Sequence, residues 1–142
     1  MNKEIELLNY IYQNSQMAIL SIEQLVDLND NRKFNKLIRK QLQGYTKINH
    51  KTVKLLNDRG FDEKEISKFN KIKTYLMINI QTLTDKSASH LAQMLIVGST
   101  MGVIDSIKNI NTYSENDSYI LKLINDLKSF EELNIENLKC YL

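Results

Sequence analysis

The chain has 142 residues, 42% hydrophobic and 25% charged, with no Pro, 4 Gly and 1 Cys. That composition excludes collagen-like, disulfide-scaffold and disordered classes, and it leaves one soluble domain over residues 1–142 with enough chain to bury a core unaided. The balance of 19 Lys and Arg against 17 Asp and Glu, a net +2, is too small to point by itself to a nucleic-acid or membrane partner.

From Lys3 to Leu28 the apolar positions Ile5, Leu8, Tyr12, Ile19, Ile22 and Val26 recur at three- and four-residue steps, the period of an amphipathic helix. Asn29-Asp30-Asn31 then supplies turn chemistry and an N-cap. A second helix is expected from Arg32 to Arg59, with Phe34, Ile38, Leu42, Tyr45, Ile48, Val53 and Leu56 inward and Gly60 as a left-handed C-cap. Phe61 to Ser67 reads as a charged connection. The third helical region, Lys68 to about Asn111, would be roughly 66 Å long at 1.5 Å per residue, against roughly 40 Å for the first two. It must therefore overhang, kink or break. The expected place is Thr84-Asp85-Lys86-Ser87, where three helix-capping residues interrupt the apolar pattern, and a second candidate is Gly98-Ser99-Thr100-Met101-Gly102. After a polar link from Asn111 to Asp117, a last helix from Tyr119 to Leu142 carries Ile120, Leu123, Leu127, Phe130, Asn134, Leu138 and Tyr141 inward. No segment shows the two-residue period of a strand. The fold expectation is all-α: an antiparallel up-down-up-down four-helix bundle with a long, kinked or broken third helix.

Between Thr74 and Ile104 the only formal charges are Asp85 and Lys86. Such a segment is expected to be buried on most sides, and its many Ser, Thr, Asn and Gln residues argue against a transmembrane span. The seven-residue seam Leu76, Leu83, His90, Val97, Ile104 would put His90 on the core side. On one reading Thr82, Asp85, Lys86, Ser87, His90 and Gln93 line a pocket for a small anion or polar ligand at the helix irregularity. The blander reading, and the more economical one, is a satisfied buried histidine and a locally paired Asp85 and Lys86 that relieve a kink. A nucleophile-base pair from Ser87 or Ser89 with His90 is weaker, because no glycines stand near to build an oxyanion hole.

The string Thr82-Leu83-Thr84-Asp85-Lys86-Ser87-Ala88-Ser89-His90-Leu91-Ala92-Gln93-Met94, followed by Gly98-Ser99-Thr100-Met101-Gly102, resembles a family of short clostridial proteins described as ferritin-like. Its Lys count of 16 against 3 Arg, with 17 Ile and 16 Asn, fits an AT-rich bacterial genome. The resemblance covers the whole chain and implies a ferritin-like shape, with no activity to transfer. In the family pattern an acidic residue stands where this chain has Gln93, which weakens a metal proposal. A di-iron site needs a Glu from each of two helices and Glu-x-x-His from each of the other two. Here no Glu lies between Glu23 and Glu63 or between Glu65 and Glu115, and Lys47 and Ser87 stand three residues before His50 and His90. No metal or other cofactor is expected.

Lys33, Lys36, Lys40, Lys47, Lys51 and Lys54 form one basic stripe on the second helix. Its plain reading is a solvated face answered by Glu131, Glu132 and Glu136 of the last helix, and no aromatic residue interleaves it to stack bases. Met94, Gly98, Met101 and Gly102 allow another helix to approach the third one closely. An acidic start without a cationic leader and the lone Cys140 lead to the expectation of a cytoplasmic protein. The leading functional expectation is a non-enzymatic bundle acting through protein-protein contact, as a homodimer or with another protein. The ligand pocket stands second, and a nucleic-acid clamp trails both.

Overall fold

A computed structural model of the chain describes residues 3–61, 80–113 and 117–142. Within them the regular structure is helical and makes a four-helix bundle: α1 (Lys3–Leu25), α2 (Arg32–Asp58), α3 (Ala88–Thr112) and α4 (Ser118–Leu138), the last followed by a 3-10 turn, Lys139–Tyr141. The expected helix over Lys68 to Asn79, with Leu76 of the proposed seam, and most of the Phe61–Ser67 connection lie outside the described residues.

Short polar side chains set the helix ends. The Asn31 side chain accepts from the Phe34 amide (2.9 Å), Ser87 Oγ from the His90 amide (3.2 Å), and Asp117 Oδ1 from the amides of Tyr119 and Ile120. α1 stops three residues earlier than expected, because Asp27 turns left-handed (φ 64°) and its amide donates to Asn35 Oδ1. At the end of α2, Gly60 takes φ 79°, with Phe61 N donating to Leu56 O and Gly60 N to Asn57 O, the paired bonds of a Schellman stop. The expected break is present at the first of its two candidate places. Residues 83–87 leave the helix, whereas Gly98 to Gly102 stay inside α3.

α1, α2 and α4 meet in a core of large apolar side chains, among them Ile5, Leu8, Ile11, Ile22, Phe34, Ile38, Leu56, Ile120, Ile124 and Leu127, all at most 1% exposed. At about 25 cal/mol per Å² of apolar surface, such burial is the main force holding the helices together. Phe130 stands edge-on to Tyr45 (centroids 4.9 Å apart) and lies flush against Gly44, where any Cβ would run into its ring. α2 also buries Asn35, Gln41, Asn49 and Thr52 at helical spacing between its apolar residues.

α3 departs from expectation. The charge-poor segment was expected to be wrapped on most sides, yet α3 buries only Leu91, Ala92, Ser99, Gly102 and Ser106. Val97, Met101, Ile104 and Ile107 are exposed, so the seam through His90, Val97 and Ile104 faces away from the core. Small residues go inward because α4 and α1 press close there. A Cβ on Gly102 would collide with both Glu131 carboxylate oxygens, and Tyr10 Oη donates to the Gly102 carbonyl (3.0 Å).

Contacts between the described helices show which of their ends lie together. Arg59 reaches Glu4 and Asn35 meets Asp27, so α2 ends beside the first turns of α1. Tyr113 donates to Glu6, and Ser89 to the Leu142 carbonyl, so α3 ends at that same end of the bundle and begins at the other. α2 and α3 therefore finish at the same end of the bundle.

Candidate functional site: a buried carboxylate beneath an apolar groove

Ile120, Ile124, Leu127, Glu131, Asn134 and Leu138 are all buried on α4, at steps of four, three, four, three and four. Glu131 thus occupies a core position of its own helix by simple periodicity. The sequence reading had assigned it to the surface, as an answer to the lysine stripe. Instead it is 2% exposed and reaches the middle of the bundle.

All four helices supply its surroundings. From α1, Asn14 Nδ2 donates to Glu131 Oε1 (2.9 Å) and to Tyr10 Oη (3.0 Å). From α2, Tyr45 Oη donates to Oε2 (2.8 Å), and the same hydroxyl lies 3.5 Å from Ser99 Oγ of α3. Tyr10 Oη is also 3.1 Å from Ser106 Oγ, so one polar layer runs through the bundle from α1 to α4. Burial pushes the Glu131 carboxyl up to about 7, against the lowering effect of the Asn14 and Tyr45 hydrogen bonds, and the like charge of Asp105 adds to the rise. Desolvation likewise raises Tyr10 to about 12 and lifts Tyr45 well above the ordinary phenol value, helped by the Glu131 charge, so both phenols remain donors. Nearby on α4, Asn134 is buried with its Nδ2 unpaired.

Glu131 and Tyr45 form part of the floor of a groove of about 730 Å³ between α1 and α3. Met17, Ala18 and Ile22 line it on the α1 side, and Met94, Val97, Gly98 and Met101 on the α3 side. The result is an apolar cleft with a few polar groups at its base, the usual make-up of a small-molecule site.

The residues singled out in the sequence fall in three places. Thr82, Asp85, Lys86 and Ser87 are exposed at the start of α3, His90 is half-buried, and of the six proposed pocket residues only Gln93 borders the groove. Asp85 Oδ1 accepts from the Ser87 amide, which holds its carboxyl below the ordinary value, and Ser87 in turn caps the helix. The cluster is helix-starting chemistry; the blander reading shares the absence of a pocket but had His90 buried and Asp85 paired with Lys86, and among the described residues no such ion pair forms. Met94, Gly98, Met101 and Gly102 all line the groove, with Gly102 set deepest, against the Glu131 carboxylate. Lys33, Lys36, Lys40, Lys47, Lys51 and Lys54 are all exposed, and among the described residues none of them is ion-paired. The acids of α4 do not answer them as expected, for Glu132 pairs with Lys128 and Glu136 with Lys139 on their own helix.

Among the described residues no three His, Cys, Asp or Glu side chains cluster as a metal site would require. Comparison of the chain with protein-family models, with curated proteins and with solved structures finds no match.

Proposed function

We propose that the chain is a non-enzymatic helical-bundle protein that works by contact with a second copy of itself, through the outward face of α3. The observation that carries this reading is the exposure of Val97 (54%), Met101 (61%), Ile104 (48%) and Ile107 (43%) on one helix. Contiguous apolar surface of this kind marks an interaction site on soluble proteins. α3, 25 residues long, is also the one described helix whose length and composition would let it cross a membrane. Asp105 and Lys108, both exposed, favour a protein partner, since hydrocarbon would leave these charges unsolvated. Their opposite signs suit a two-fold contact, in which each side chain meets the other's counterpart. An exposed single thiol, Cys140, suits the reducing cytoplasm we assign to it.

The helix order supports a shape to go with this role. With α1 and α2 antiparallel, α3 and α4 antiparallel, and α2 and α3 ending together, the four helices run up, down, down, up. Neighbouring helices that end together in this way also occur in ferritin-like bundles, and we read the resemblance as one of shape.

Sedimentation equilibrium tests the reading directly. The expected mass is twice the 16.6 kDa of the chain, falling to that of one chain in Ile104→Lys/Ile107→Lys with the helical circular dichroism unchanged. A monomer at tens of micromolar overturns the homodimer, and co-flotation of that monomer with liposomes would reassign the face to lipid.

A further inference from the structure

The floor of the groove holds a carboxylate that no cation among the described residues answers. Glu131 is 2% exposed, its hydrogen-bond partners Asn14 and Tyr45 are neutral, and the charged group that acts on it, Asp105, has the same sign. Among the described residues no Lys, Arg or His makes an ion pair with it. Buried carboxylates are ordinarily paired, because an unpaired one loses its hydration without return. Each Glu131 oxygen receives one protein donor, Oε1 from Asn14 and Oε2 from Tyr45, and a carboxylate has about four lone-pair sites, so room remains for a further donor. An anionic ligand would meet Glu131 and Asp105 together. A cationic donor would complete the site.

We propose that the groove binds a small organic amine, whose ammonium group docks on the Glu131 carboxylate while its hydrocarbon body lies between Met17 and Met94, Val97 and Met101. The volume of about 730 Å³ sits within the range of about 300–1,000 Å³ common to small-molecule sites. Flexible thioethers on both walls fit hydrocarbon of irregular shape. The groups facing Glu131 are Asn14 and Tyr10 from α1, Tyr45 from α2, and Asp105 and Ser99 from α3. Both phenols stay protonated, so Glu131 is the group that titrates near neutrality. Amine binding therefore requires the carboxylate and weakens as pH falls through about 7.

Hexylammonium chloride, hexanol and sodium hexanoate, three probes with one tail, test the proposal by calorimetry and thermal midpoint. At pH 8 hexylammonium is expected to bind about tenfold or more tightly than hexanol, as a charge-assisted bond in a desolvated site provides, and hexanoate is expected not to bind. The preference should vanish at pH 5.5 and in Glu131→Gln, with hexanol binding kept. Gly98→Leu, on the groove wall where an added Cβ meets nothing within 4 Å, should fold normally and lose both hexylammonium and hexanol. Equal affinity for hexylammonium and hexanol at pH 8, or a preference that survives in Glu131→Gln, overturns the proposal. If Glu131→Gln does not fold, hexylammonium binding untouched by Gly98→Leu or by pH overturns it equally. Val97 and Met101 belong both to the groove wall and to the face proposed for the dimer, so the titration is repeated in monomeric Ile104→Lys/Ile107→Lys, whose substituted residues do not line the groove, and binding is expected to be kept there.

Discussion

α1 and α3 are nearly equal in length, 23 and 25 residues, yet they solve opposite packing problems. α1 turns Ile5, Leu7, Leu8, Ile11, Ile19, Ile22 and Leu25 into the core, with Ser15 as its one buried polar residue. α3 is the more apolar helix, but beyond Leu91 and Ala92 it buries only Ser99, Gly102 and Ser106 and leaves Val97, Met101, Ile104 and Ile107 exposed. Apolar content therefore does not decide which face of a helix is covered. At α3 the closeness of the neighbour decides, since only a small residue fits against the Glu131 carboxylate and beneath the Tyr10 hydroxyl.

The sharpest way to break this contrast is to truncate one isoleucine on each helix. Ile22→Ala, at a site 1% exposed, should cost about 3–4 kcal/mol in urea unfolding through lost burial and the cavity left behind. Ile104→Ala should cost less than about 0.5 kcal/mol when measured below the dimer concentration. Comparable losses would mean that α3 is not turned as described.

Next in size is the pH dependence conferred by Glu131. Its carboxyl lies near 7 in the folded chain against an ordinary 4.5, so the native state keeps a proton that the unfolded state has already released. Stability should fall as pH rises from about 4.5 to 7 and level off above, by on the order of 3 kcal/mol in all. Glu131→Gln should flatten that slope. A variant with the slope intact would show that the carboxylate is hydrated.

Two glycines on one helix give a smaller test. Gly102→Ala drives a methyl group into Glu131 and should destabilise by about 1–3 kcal/mol, despite the better helix former. Gly98→Ala meets open space and should stabilise by up to about 1 kcal/mol. Equal effects at the two positions would remove the argument for close approach.

Much of the framework was readable from residues with local jobs. Asn31, Ser87 and Gly60 act at the helix ends where their chemistry places them, and the apolar periods of α1, α2 and α4 point to the core. α3 defeated the same reading because apolar residues surround it, and periodicity without contrast carries no direction. Glu131 was legible in a different sense. Its spacing from Leu127 and Leu138 marks it as buried, but a charged residue is rarely buried without a partner, and that prior outweighed the period. The shared end of α2 and α3 was hidden because it shows only in long-range contacts such as that of Tyr113 with Glu6, which no local pattern reveals.

The smallest expected effect decides what the polar start of α3 is for. The Ser87 hydroxyl oxygen accepts from the His90 amide, and Asp85 Oδ1 accepts from the Ser87 amide, so the cluster satisfies donors that the first turn would otherwise leave free. Ser87→Ala should therefore lower stability by about 1 kcal/mol, the usual worth of a cap, while Ser87→Asp, which also places negative charge at the helix start, should restore it. Hexylammonium affinity should be unchanged in both, since Ser87 and Asp85 do not line the groove. A loss of affinity in Ser87→Ala at undiminished stability would return the binding site to the helix start and detach it from Glu131.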